Sequence, residues 1–144
     1  MKKVFITVVL AFMLYGLSET NPGFIQSFAE PFTESDQILE NAYQNRLSNL
    51  QVEGSGVVIE ILPDDLQGSR HQRFIIRLSS GQTILVSHNI DLAHRIDSLK
   101  VGDTVEFFGE YEWNSKGGVV HWTHHDPEGQ HVDGWLKHNG VTCQ

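Results

Sequence analysis

The stretch TVEFFGEYEW, Thr104 to Trp113, decides the fold. Side chains alternate across a strand, so Val105, Phe107, Gly109, Tyr111 and Trp113 share one face, against Thr104, Glu106, Phe108, Glu110 and Glu112 on the other. An apolar face backed by a face carrying three glutamates describes a strand with one side in a core. The glycine in the apolar row offers nothing to pack, which marks a bend or a close approach of backbone. Asn114-Ser115-Lys116-Gly117-Gly118 turns the chain, and Val119 to about His125 then reads as the strand that pairs back.

Upstream, the same period recurs three times. Val57, Ile59 and Ile61 alternate with Val58, Glu60 and Leu62, after a break at Glu53-Gly54-Ser55-Gly56 and before a turn at Pro63-Asp64-Asp65. Phe74, Ile76 and Leu78 face one way while His71, Arg73 and Arg77 face the other; Ser79-Ser80-Gly81-Gln82 turns into a third strand, Thr83 to His88. Asp91 to Leu99 reads as a short segment of one or two helical turns, stopped at Val101-Gly102-Asp103. Before the strands, Ser35 or Asp36 caps a helix running to about Leu50, with Ile38, Leu39, Ala42, Leu47 and Leu50 at near-helical spacing. The chain is therefore expected to be mainly β, a small five-stranded OB-like barrel with an N-terminal helix.

Lys2 and Lys3 precede an uncharged apolar run, Val4 to Leu17, that is shorter than the roughly 20 residues of a spanning helix and close to a secretory core. Ser27-Phe28-Ala29 places small residues for a cut after Ala29. Residues 1–29 are thus expected to be a signal peptide, with an uncleaved N-terminal anchor as the alternative; 30–50 form a linker and helix, and 51–144 the barrel. The expected location is periplasmic or secreted, and membrane contact follows only if the first segment stays attached. The full chain of 144 residues has 10 basic and 18 acidic side chains, a net charge of −8; losing Lys2, Lys3 and Glu19 makes it −9. Such an acidic chain has no strong general affinity for nucleic acid. The single cysteine, Cys143, forms no internal disulfide and reads as a frayed C-terminal residue, with pairing between chains as the alternative.

The strings LPDD, GSRHQRFIIRL, HNIDLAHRI, GDTVEFFGEYEWN and GGVVHWTHHDP, spread from about Gln51 to Trp135, resemble an uncharacterised family of small exported bacterial proteins classed as a domain of unknown function. The resemblance implies a compact β-barrel and export, and it brings no activity with it.

Three polar groups are candidate sites. HWTHHDPEGQH, His121 to His131, places four histidines and an aspartate in eleven residues. On a continuous strand His124 and Asp126 lie about 7 Å apart on one face, and His131 can return on the Pro127-Glu128-Gly129-Gln130 turn. His124, Asp126 and His131 are therefore the expected metal set, suited to a divalent ion such as Zn²⁺ or iron, with His125 as acid or base; the alternative is a plain strand end running into a turn. Arg70, His71, Arg73 and Arg77 concentrate positive charge on the second strand, where arginine forks suit an anionic ligand such as an oligonucleotide or glycan and Trp122 offers a stacking surface; the alternative is a solvated face paired with Glu106, Glu110 or Glu112. His88, with Asp91 to orient it, is a candidate general base, although Asp91 is also a natural turn cap. No phosphate-cradling glycine loop and no Ser-His-Asp or Cys-His nucleophile arrangement is recognisable. The leading expectation is an exported OB-like ligand-binding domain for an unidentified ligand. The alternatives are a metal-dependent hydrolase or phosphodiesterase built on His124, Asp126 and His131, and an envelope interaction protein.

Overall fold

The structure, a computed structural model, describes residues 33–144. The expected signal peptide or anchor, with its cut after Ala29, lies outside the described residues. Helix α1 spans Glu34–Gln44, and its cap is Thr33, whose hydroxyl accepts the Asp36 N–H at 3.1 Å. Asp36, one of the two expected caps, is instead buried and accepts a hydrogen bond from the Ser79 hydroxyl. The helix stops six residues before the expected end because Arg46 and Asn49 take positive φ, 53° and 60°, which turns Leu50 out of the helix and into a strand. Leu39 and Ala42 face the core, while Ile38 is exposed.

Five strands follow: β1 Leu50–Ile61, β2 His71–Arg77, β3 Thr83–Asn89, β4 Thr104–Glu112 and β5 Val119–His121. Neighbours β1–β2, β2–β3, β4–β5 and β1–β4 are antiparallel, and β3–β5 is parallel. The order β1-β2-β3-β5-β4 returns to β1 and closes the barrel, as an OB-type connectivity requires. β1 serves both sides of the closure. It pairs with β4 from Leu50↔Tyr111 to Val57↔Thr104 and with β2 from Val57↔Arg77 to Ile61↔Phe74, with a register shift between Val58 and Glu60.

The expected break at Glu53-Gly54-Ser55-Gly56 is strand. Those glycines are needed for space: a Cβ on Gly54 would lie 2.6 Å from Cζ of Phe107. Gly109, the expected bend in β4, sits under the carbonyl oxygen of His121, 2.5 Å from where its Cβ would be. The inward row of β4 is as expected, with Val105, Phe107 and Tyr111 fully buried against Phe74, Ile76, Ile84, Val86 and Val120. Burial of such apolar side chains, each worth roughly 1.5–3 kcal/mol, is what holds the barrel shut.

Three further readings are corrected. Asp91 to Leu99 forms no helix, and Ala93 N–H closes one turn on Asn89 O at 3.1 Å; Gln72, itself buried, donates to Ile96 O and accepts from Ile96 N, both at 2.9 Å, so its side-chain amide meets backbone groups that a helix would have paired. β5 ends at His121, four residues early, because Trp122 adopts φ 58° and breaks the alternation. A hairpin was missed: β6 Trp135–His138 and β7 Val141–Cys143, with β6 taking the Val105–Phe108 edge of β4 that β5 leaves open. Leu136 is fully buried there, and Cys143 packs against the core and is no frayed end.

The helix closes one end of the barrel. Trp113 donates from Nε1 to the Tyr43 carbonyl at 3.1 Å, and Tyr43 donates from its hydroxyl to Ser115 O at 3.3 Å. The opposite end is ringed by the β1–β2 loop, the segment after β3 and the loop after β5.

Candidate functional site

That opposite rim gathers most of the histidines. At the end of β3, His88 is fully buried. Its ring is held between the Thr123 hydroxyl at Nδ1, 2.8 Å, and the His94 carbonyl at Nε2, 3.0 Å. A carbonyl can only accept, so Nε2 carries the proton and Nδ1 accepts from Thr123. Burial pushes the ring's pKa down from 6.5 to about 4, only partly opposed by the bond to His94 O. His88 is not oriented by Asp91. That carboxylate accepts from the Arg70 backbone N–H at 2.9 Å and pairs with Arg70 Nε at 2.7 Å, and those bonds hold it below the usual carboxylate range.

The positive charge of β2 is dispersed. Arg70 belongs to Asp91, and Arg73 gives Nε and Nη2 to the Pro63 carbonyl at 3.1 and 2.9 Å. Arg77 stands at the far end of the strand, about 20 Å from His71 by the rise of a strand. None of them pairs with Glu106, Glu110 or Glu112. Arg95, which the sequence did not single out, pairs with Asp64 and Asp97.

The loop after β5 is organised by Asp126. Its carboxylate accepts the backbone N–H groups of Glu128, Gln130 and His131 at 3.0, 2.7 and 2.7 Å, which lowers its pKa, the Glu128 bond first. The aspartate's acceptor capacity is thus committed to shaping the turn. His124 is buried and donates from Nδ1 to the His125 carbonyl at 2.6 Å; His125 is exposed and pairs through Nδ1 with Asp133 at 3.0 Å. His131 is carried back over the sheet, where its ring stacks on Trp122 with centroids 4.0 Å apart and planes 8° from parallel. His124, Asp126 and His131 do not form a common ligating cluster. Among the described residues, the atoms that gather within 4.8 Å of one another belong to Glu110, Glu112 and His121. Register explains this: His121 lies directly opposite Glu110, and Glu112 projects from the same face two residues on.

Beside that cluster is a pocket of about 220 Å³ lined by Ser69, His71, Asn89, Leu92, His121, Trp122 and His124. His71 donates from Nδ1 to Ser69 O at 2.8 Å, which leaves Nε2 as an acceptor, and Asn89 uses Oδ1 on the Asp91 N–H at 2.9 Å, which leaves its amide N–H donors for a guest. A trough of about 890 Å³ on β1, floored by Gly54 and Gly56, is larger but is lined by no aromatic ring and no imidazole. Of the residues singled out in the sequence, His71, Trp122 and His124 therefore meet in one pocket. Arg70 and Arg73 are engaged elsewhere, His125 faces solvent, and Arg77 lines the trough. In the sequence the glutamates stand as the outer row of β4 and as alternative partners for the arginines; what would have marked them as part of a site is their register with His121.

No curated protein matches the sequence. The family match takes in more than the motif-bearing stretch and begins at Gly23, ahead of the expected cut after Ala29. The family model described as "Protein of unknown function (DUF3465)" covers residues 23–144, and the chain belongs to that family.

Proposed function

We propose that this chain is an exported OB-like binding domain, periplasmic or secreted, that takes a saccharide ring on the rim pocket around His71, Asn89 and Trp122. The observation that carries the reading is the pocket itself. It joins an indole in a strained left-handed backbone conformation with unengaged donors on Asn89 and an acceptor on His71. A bulky residue at positive φ is costly unless its surroundings demand it, and such strain collects at sites of recognition. The volume is below the roughly 300–1,000 Å³ of pockets for drug-sized ligands, so one ring or one chain end fits.

A saccharide is favoured over an oligonucleotide on charge. The net charge of −8 repels phosphate, and Arg70 and Arg73, on either side of His71 in sequence, already have partners. Calorimetric titration with neutral and acidic oligosaccharides, and with short oligonucleotides in parallel, tests the reading. Saccharide binding that His71→Ala weakens at least about tenfold, roughly 1.4 kcal/mol, while Arg77→Ala leaves it unchanged, is the expected result. Failure of every saccharide to bind, or equal losses from His71→Ala and Arg77→Ala, rejects it. Tight oligonucleotide binding with a steep salt dependence would replace it.

A further inference from the structure

We infer that the outer face of β4 and β5 holds a divalent first-row transition cation, Zn²⁺ being the simplest, between Glu110, Glu112 and His121. The separations fit. His121 Nε2 is 3.8 Å from Glu110 Oε2 and 3.5 Å from Glu112 Oε1, and the three ligating atoms lie within 4.8 Å of one another. A tetrahedral Zn²⁺ with bonds of about 2.0–2.2 Å holds its donors about 3.3–3.6 Å apart, so small side-chain movements bring all three into its shell. Two of these contacts are too long for hydrogen bonds and suit atoms that share an ion.

Two further observations point to a cation. His121 Nε2 is buried from solvent and has no hydrogen-bond partner, although it is aimed between two carboxylates. A buried ring nitrogen without a partner is costly, and a metal bond relieves it. Glu110 is mostly buried, and the groups facing the two glutamates are imidazoles, His131 at 3.1 Å and His121 at 3.8 Å from Glu110 and His121 at 3.5 Å from Glu112, with no lysine or arginine paired to either among the described residues.

The surroundings are those of a ligand shell. His131 donates from Nδ1 to Val132 O at 2.8 Å, is clamped by the Trp122 ring, and presents Nε2 to Glu110 Oε2 at 3.1 Å. It is a positioning residue, fixing the carboxylate that would bind the metal. Three protein ligands leave a fourth place open, next to the pocket that His121 also lines. The inference goes beyond the saccharide reading and stands separately from it.

Titration of tag-free protein with ZnCl₂ at pH 7.5, with Co²⁺ absorption as a check on coordination, tests it. One ion per chain is expected. Glu112→Gln and His121→Ala should each weaken binding more than about 100-fold, and His131→Ala about 10–100-fold, as an outer-shell change does. His125→Ala and His71→Ala should leave Zn²⁺ affinity unchanged, which separates this site from the saccharide pocket. Glu112→Gln keeps the side chain's shape at a half-exposed position, so it serves even if His121→Ala misfolds. Uptake well below one ion per chain, or a loss from His125→Ala equal to that from Glu112→Gln, overturns the inference.

Discussion

Acidification should destabilise this barrel before Asp91, Asp103, Asp126 and Asp133 lose their charge, and His88 is the reason. Its ring is fully buried between Thr123 and the His94 carbonyl, and burial lowers its pKa from 6.5 to about 4. The folded value lies below the unfolded one, so protons bind the unfolded chain more tightly. Stability is complete above about pH 6.5, falls as pH drops, and stops falling on this account below about pH 4. The drop from 6.5 to about 4 gives a full effect of roughly 3 kcal/mol, of which about 2 kcal/mol is lost by pH 5. Asp91, Asp103, Asp126 and Asp133 have lowered values, so their contributions are present above the unfolded value of 3.8 and disappear only as pH falls below it. The window between pH 6.5 and 4.5 therefore isolates His88 from them. Urea unfolding at pH 7.5 and pH 5 should show a midpoint lower by about 1 M at pH 5, for a slope near 2 kcal/mol/M. His88→Gln should be less stable at pH 7.5 but much flatter between the two. Equal pH dependence in the wild type and His88→Gln would refute the reasoning.

Two packing predictions accompany it. Gly54→Ala puts a methyl group 2.6 Å from the Phe107 ring and should cost about 1–3 kcal/mol by urea unfolding, whereas a glycine serving only as a flexible break would tolerate alanine with little change. Leu136→Ala empties a fully buried position under the C-terminal hairpin and should cost about 2–5 kcal/mol in one cooperative transition; a separate early transition of the hairpin would show that β6 is not part of the barrel's core.

The barrel was legible where one physical cause dominates. Alternation in β2, β3 and β4 is forced by a single buried face, and the period of two gave those strands within a residue or so of their ends. It failed where backbone conformation overrides pattern. Gly54 and Gly56 look like a turn in sequence and serve as clearance inside a long strand. Asn139-Gly140, both at positive φ, is a strong hairpin signal that should have revealed β6 and β7. Trp122 carries no sequence mark of its left-handed φ, yet that residue stops β5 and decides where every later histidine goes. Composition alone marks the histidine-rich stretch as a candidate site, while its geometry depends on Asp126 binding three backbone N–H groups and on Glu110 and Glu112 arriving from the neighbouring strand. Cross-strand register is a long-range property, so those glutamates could be read only after β4 and β5 were paired.

The central claim, that recognition is centred on the rim around Trp122, is tested most directly by following backbone amide resonances while a binding oligosaccharide is added. The account predicts shifts concentrated in Ser69–His71, Asn89–Leu92 and His121–His124, with the β1 trough unmoved. Shifts centred on Glu53–Val57 and Arg77, with the rim silent, would contradict it.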